Sequence, residues 1–153
     1  MLEFRRATPD DCDALARIRA EFLAEANGVE NDNEKATLET LNRQFMSTAM
    51  VDGSFAAWVA AEEGEIVATS GISFYTLPSN KSNPSGKTAY ISNMFTYPAW
   101  RKQGIAARLF ELVVSDAAER GCGKVMLNAT EMGRPIYERF GFKSDAGDMN
   151  YYL

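Results

Sequence analysis

The sequence predicts one α/β domain, and three observations carry the prediction. The first third repeats its apolar residues at helical spacing, a pair of β-prone runs follows, and the second half turns to strand, helix, strand. A length of 153 residues suits one compact domain, and 46% hydrophobic with 11% aromatic content excludes global disorder. No repeat, low-complexity block or linker divides the chain, so residues 1–153 are read as a single domain.

A short apolar start around Leu2 and Phe4 precedes Thr8-Pro9-Asp10-Asp11, a helix-start signal. Thr8 can cap, Pro9 suits the first helical position, and the aspartates complement the positive end of the dipole. Leu15, Ile18 and Phe22 carry the first helix up to Asn27-Gly28. A second helix runs from about Asn33, with Leu38, Leu41, Phe45 and Ala49 on one face, and stops near Asp52-Gly53. Ser54–Glu62 and Glu65–Phe74 read as strands of a hairpin turning at Glu63-Gly64. Leu77–Lys87 is the loop rich in turn residues, and both a functional role and a plain surface insertion fit it. Ala89–Thr96 is then a strand and Gln103–Arg120 a helix, buried through Ile105, Leu109, Phe110, Leu112, Val113 and Val114. Lys124–Ala129 is the next strand, expected parallel to Ala89–Thr96. A short helix over Gly133–Arg139 ends at Gly141, and the remainder through Tyr151 and Tyr152 is expected to form a closing strand or hairpin.

Composition narrows the function classes. The net charge of −5 argues against a nucleic-acid duplex as main partner, since such proteins carry a basic face. No apolar run is long enough to span a bilayer, and the charged start MLEFRRATPDD does not resemble a signal peptide. Cys12 and Cys122 form neither a disulfide framework nor a metal motif and read as reduced thiols, so a cytoplasmic location is expected. Histidine is absent, which removes Ser-His and Cys-His nucleophile schemes and argues against a metal site. Any catalysis must then rest on carboxylates, tyrosines, backbone dipoles or a cofactor.

Two segments carry chemistry. In Arg101-Lys102-Gln103-Gly104-Ile105-Ala106, amides at a helix start lack intrahelical partners and face the positive end of the dipole. Gly104 and Ala106 keep the backbone approachable, and Arg101 and Lys102 add charge, so a pyrophosphate could be cradled there. A structural helix start with two solvated cations explains the same residues. Walker and Rossmann phosphate loops are excluded: no Gly-Lys-Ser/Thr stands in the right loop context, and one glycine stands where three are needed. The second segment, Gly133-Arg134-Pro135-Ile136-Tyr137-Glu138-Arg139-Phe140-Gly141-Phe142, reads alone as a short amphipathic helix with a packed tyrosine.

Taken together, Arg-x-x-Gly-x-Ala after a strand, then helix, strand and Ile-Tyr-Glu-Arg-Phe-Gly-Phe, resemble the GNAT superfamily of acetyl-CoA-dependent N-acetyltransferases. Tyr90-Ile91-Ser92-Asn93-Met94-Phe95-Thr96-Tyr97-Pro98-Ala99-Trp100-Arg101 resembles that family's strand and bulge before its acetyl-CoA loop. The specific match runs from about Thr88 to Phe142.

The resemblance implies a mixed, partly splayed β-sheet flanked by helices. It implies that amides of Arg101, Lys102, Gln103, Gly104, Ile105 and Ala106 hold the pyrophosphate of acetyl-CoA, and that Met94, Phe95 and Thr96 pair with the pantetheine arm like an added strand. The Met94 amide would polarise the thioester carbonyl. Tyr137 falls on the family's general acid, which protonates the leaving thiolate. Two positions depart from the family pattern: Thr130 stands where an asparagine is usual near the cofactor, and Gly133 where an alanine is usual.

An amine acceptor would attack the thioester directly within a ternary complex, with proximity as the main contribution. Glu131 is a candidate base and Asn93 a candidate for positioning the acceptor, a water chain being an alternative. Glu21, Glu25, Glu30, Asp32, Glu34 and Glu39 face Lys35 alone between residues 21 and 39, which favours a cationic acceptor such as a polyamine, an aminoglycoside or a lysine-bearing peptide. A solvated acidic helix face explains them as well, and Glu21 and Glu25 remain acceptor-binding candidates. No nucleic acid and no membrane is expected as partner, and a homodimer through the C-terminal edge is compatible with the family. A catalytically idle acyl-CoA sensor would keep the Arg101–Ala106 cradle without needing Tyr137.

Overall fold

The computed structural model describes residues 1–26 and 28–153. Five strands form one sheet in sequence order: β1 (Glu3–Arg6), β2 (Phe55–Glu62), β3 (Glu65–Thr76), β4 (Lys87–Thr96) and β5 (Lys124–Leu127). Neighbours are antiparallel from β1 to β4, and β4 and β5 are parallel. The sheet is therefore mixed. Of the helices, α1 (Cys12–Ala26) and α2 (Asp32–Asp52) precede β2, α3 (Ile105–Glu119) links β4 to β5, and α4 (Arg134–Phe140) follows β5. None of the described helices is long and apolar enough to cross a membrane.

Alternation along β2 explains the layers. Phe55, Ala57 and Val59 pack with Leu15 of α1 and with Met46 and Ala49 of α2. Ala56 and Ala60 turn to the other face, where α3 supplies Phe110 and Val113 on one side and Ile105 and Leu109 on the other. A sheet covered on both faces needs apolar residues at successive positions, and β2 reads Phe-Ala-Ala-Trp-Val-Ala-Ala accordingly. Across this core Asp116 of α3 is buried, accepting from the Trp58 indole at 2.9 Å and pairing with the Arg6 guanidinium.

Several local expectations shift. Pro9–Asp11 is a 3-10 turn and α1 begins at Cys12; Thr8 donates its amide to Asp11 at 2.8 Å. The expected helix stop at Asn27 lies outside the described residues, and Gly28 beside it has φ +63°. On α2 the core contacts come from Met46 and Ala49, while Leu41 and Phe45 stay 54% and 48% exposed, because the helix leans on the sheet only through its C-terminal half. Strand β3 runs to Thr76, beyond the expected end at Phe74, and α3 starts at Ile105, two residues after the expected start.

The expected closing strand is absent: residues 142–153 carry no strand, and Tyr151 and Tyr152 are each 88% exposed. Asp145 accepts from the Gly147 amide at 3.0 Å, an Asx turn that breaks the run, and Asp148 and Asn150 add residues of poor strand propensity. The loop between β3 and β4 lies at the N-terminal end of β4. Its buried Asn83 donates to the Lys87 carbonyl at 3.0 Å and to Thr88 Oγ1 at 3.3 Å.

Candidate active site

Strands β4 and β5 pair only from Thr88↔Lys124 to Ile91↔Leu127, although β4 continues to Thr96. Beyond Ile91 the two parallel strands separate, so the β4 backbone from Ser92 to Thr96 has an edge without a ladder partner on that side. A bulge reinforces the opening. Thr69↔Phe95 and Gly71↔Ser92 are paired across β3 and β4, leaving Asn93 and Met94 opposite Ser70. Asn93 sits at φ +56°, a left-handed conformation that asparagine tolerates better than most residues, and its carbonyl accepts from Thr69 Oγ1 at 2.7 Å. Ser70 Oγ is buried beside the bulge without a partner among the described residues.

A cavity of about 810 Å³ occupies this gap. Its lining combines Met94, Phe95 and Thr96 of β4, the loop and first turn of α3 from Trp100 to Ala107, Thr130 and Gly133 before α4, Ile136 and Tyr137 of α4, and Phe22 and Glu25 of α1. Gln103 is the one member of the expected phosphate cradle that does not line it. Arg108 is the first amide of α3 to reach a helical acceptor, the Gly104 carbonyl at 3.1 Å, so the amides of the preceding turn are free for a ligand. Lys102 at φ +62° and Gly104 at φ +77° turn the chain into that helix. A Cβ at Gly104 would meet no protein atom within 4 Å, so within the chain it is the backbone angle that calls for glycine.

Arg101 differs from its expected use as a free cation. Its Nη2 binds both oxygens of Glu25 at 2.8 and 3.0 Å, its Nε donates to the Thr96 carbonyl at 2.8 Å, and its guanidinium lies 5.7 Å from the centre of the Phe95 ring. The side chain thus clamps the loop to α1 and β4, and among the described residues Lys102 remains as the loop's unclamped cation. Glu21 lies near Tyr97, whose phenol is pushed up to about 12 by burial first and then by this carboxylate.

Tyr137 is 8% exposed, its ring centre lies 5.1 Å from that of Phe110 at a tilt of 41°, and its hydroxyl makes no hydrogen bond among the described residues. Burial pushes its pKa above the ordinary phenol value of 10. Thr130 forms the turn into α4: its Oγ1 accepts from the Gly133 amide at 3.1 Å and its carbonyl from the Arg134 amide at 2.9 Å. A Cβ at Gly133 would fall 2.9 Å from the Tyr137 hydroxyl, so glycine here leaves the ring its present place. Glu131 is exposed and does not line the cavity, and Asn93 is buried at the bulge outside the lining.

The sequence reading passed over Phe22, Trp100, Met132, Ile136 and Arg139 as lining residues. Phe22 carried a signal, since it ends the apolar stripe of α1 where the helix outruns its own core. Arg19 was passed over as well, one turn earlier on that helix, where it interrupts the same stripe.

Residues 22–150 match the family model described as an acetyltransferase (GNAT) domain. The chain is 28% identical over 142 residues to the uncharacterised N-acetyltransferase YjgM of Escherichia coli (strain K12), covering 91% of this chain and 80% of that protein. Among solved structures it resembles a protein of Clostridium acetobutylicum described as a predicted acetyltransferase with acetyl-CoA, at TM-score 0.91 and 29% identity over 100% of this chain and 97% of the other. A GCN5-related N-acetyltransferase of Ralstonia eutropha JMP134 gives TM-score 0.89 and 30% identity, over 100% and 99% of the two chains. The splayed parallel strands, the β4 bulge and the tyrosine-bearing α4 therefore stand in a familiar frame: this chain belongs to the GNAT acetyltransferases.

Proposed function

We propose that the protein transfers the acetyl group of acetyl-CoA to a primary amine, by direct attack within a ternary complex. The observation that carries this reading is the cavity itself, which joins an unpaired strand edge, a helix start with free amides and a buried tyrosine. Those are the groups a thioester on a long polar arm requires. An extended pantetheine arm can add to β4 through Met94, Phe95 and Thr96. Its pyrophosphate is anionic and suits the amides from Lys102 to Ala106, with Lys102 adding charge, whereas the Arg101 amide donates to the Pro98 carbonyl at 3.3 Å. The Met94 amide, presented by the bulge, is the donor for the oxyanion that develops on the thioester carbonyl.

Tyr137 is the general acid. Its raised pKa keeps the hydroxyl protonated at neutral pH, so it can donate to the departing thiolate. The acceptor must lose a proton before attack, because an alkylamine of pKa about 10.4 is mostly charged at pH 7. The exposed position of Glu131 favours a water chain to solvent over direct proton abstraction by that carboxylate. A catalytically idle acyl-CoA sensor would need no tyrosine hydroxyl at the end of this cavity. Initial rates of thiol release with an amine panel test the reading, and acetyl-CoA binding without amine-dependent thiol release from any of them would favour the sensor.

A further inference from the structure

Helix α1 carries a charge where its geometry asks for an apolar residue. At 100° per residue, Arg19 lies on the line of Cys12, Leu15 and Ala16, all buried, with Phe22 one turn further. Arg17, on the opposite side, is exposed, whereas Arg19 is half-buried with its guanidinium 5.4 Å from the centre of the Phe22 ring. Among the described residues it makes no ion pair and no side-chain hydrogen bond. Six other arginines, Arg5, Arg6, Arg43, Arg101, Arg108 and Arg134, each hold a carboxylate, and Arg120 donates to the Gly53 carbonyl at 2.6 Å. A guanidinium withdrawn from water without an acceptor is costly, and burial accordingly lowers the Arg19 pKa with only Tyr90 acting against it.

What Arg19 overlooks is polar and open. Tyr90 pairs with Ser73 on one side and Met126 on the other, so all three share one sheet face, which alternation extends to Ser92 and to Tyr75. Tyr75 is 39% exposed and its hydroxyl lies 3.6 Å from Met126 Sδ. This face adjoins the cavity, because Phe22, under the Arg19 guanidinium, lines it and meets the Phe95 ring edge-on at 6.3 Å. Three of the six acidic residues that suggested a cationic acceptor are meanwhile engaged in holding structure together. Glu25 is bound by Arg101, Glu39 by Arg43, and Glu34 accepts from the Glu30 amide at 2.8 Å.

We propose that Arg19 receives an anionic group of the acceptor, so that the substrate is a primary amine that also carries a carboxylate or a phosphate. The inference rests on the acetyl-transfer reading for the amine and on the Arg19 environment for the anion. The carboxylate or phosphate pairs with the guanidinium over the β4 face, and the amine reaches past Phe22 toward Met94. A diamine finds no partner at Arg19 and is repelled by it.

The test measures binding and turnover on the same probes. Thermal shift in the presence of CoA, and thiol release from acetyl-CoA, are recorded for the common α-amino acids, for ω-amino acids from β-alanine to 5-aminopentanoate, for phosphoethanolamine and for putrescine. Wild type is compared with Arg19→Met, which keeps the length and suits the apolar stripe, and with Arg19→Lys, which keeps the charge. The proposal expects a carboxylate- or phosphate-bearing amine to bind best, Arg19→Met to raise its KM roughly ten- to hundredfold with the KM for acetyl-CoA unchanged, and Arg19→Lys to recover part of the loss. The amino acids and phosphoethanolamine separate the carboxylate from the phosphate. Binding of such a probe, lost in Arg19→Met but with no thiol release, supports the anion site and overturns acetyl transfer. Preference for putrescine, equal KM in wild type and Arg19→Met, or no anionic probe binding at all overturns the anion site.

Discussion

Arg101 grips both carboxylate oxygens of Glu25 at 2.8 and 3.0 Å, joining the loop before α3 to the end of α1. The cation at the head of the Arg-x-x-Gly-x-Ala run therefore acts on the phosphate cradle by holding it in place, and the main-chain amides are left to meet the ligand. Arg101→Met and Glu25→Gln should each weaken acetyl-CoA binding by about two- to fivefold, the value of a partly exposed pair. The double variant should be no worse than either single one. Calorimetric titration checks this; tighter binding in Glu25→Gln would mean that Arg101 is a phosphate ligand held back by its carboxylate.

Tyr137→Phe should lower kcat by about 10²- to 10⁴-fold with acetyl-CoA affinity nearly unchanged, as expected when a proton donor is lost and the ring is kept. The pKa of Tyr137 is raised by burial, so the acid form persists through pH 10 and is lost only above it. The alkaline limb of the wild-type kcat profile should therefore fall above pH 10. Equal turnover by the Phe variant would remove the hydroxyl from the mechanism.

Gly104→Ala should weaken acetyl-CoA binding and lower stability by about 1–2 kcal/mol, since φ +77° strains any residue with a Cβ. The space around it is open, so the loss is conformational, and Gly104→Asn, which tolerates that region better, should be the milder change. A denaturant midpoint series on the three proteins, with and without CoA, measures both effects.

Asp116→Ala should cost about 3 kcal/mol or more, because it leaves the Trp58 indole and the Arg6 guanidinium without their shared acceptor. The site is far from the cavity lining, so the KM for acetyl-CoA should stay as in wild type at temperatures where the variant is folded.

Asp11 links acid stability to the start of α1. The Arg5 guanidinium, at 2.8 and 2.9 Å, and the Thr8 amide hold its carboxyl below the usual value of 3.8. A folded pKa below the unfolded one stabilises the protein above the unfolded value, and the contribution disappears as pH falls through the folded one. Asp11→Asn should therefore destabilise at pH 7, with the difference from wild type shrinking as pH falls below 3.8, by urea unfolding at a series of pH values.

Much of this arrangement was legible because local chemistry and periodicity agreed. The hairpin at Glu63-Gly64, the parallel pairing of β4 with β5, and the α3 stripe of Ile105, Leu109, Phe110 and Val113 occur where their spacing puts them, although β5 ends at Leu127, two residues short of the expected Ala129. The C-terminal strand failed because two adjacent tyrosines signal strand propensity while Asp145 and Gly147 make a turn. Leu41 and Phe45 failed for a different reason: periodicity identifies a helix face but does not say how far the sheet extends beneath it. The Arg101–Glu25 pair spans 76 positions and left no sign in either segment. Arg19 was visible in principle, as a charge inside an apolar stripe, but its lack of a partner is a tertiary fact.

If the gap between β4 and β5 holds acetyl-CoA, a thermal-shift titration with acetyl-CoA, CoA and ATP will register it. At 100 times its Kd a ligand stabilises the fold by about 2.7 kcal/mol, a clear displacement for a domain of this size. The account predicts a shift with acetyl-CoA and with CoA, little with ATP, and a smaller one in Gly104→Ala at equal concentration. No shift with acetyl-CoA, or an equal shift with ATP, would contradict it.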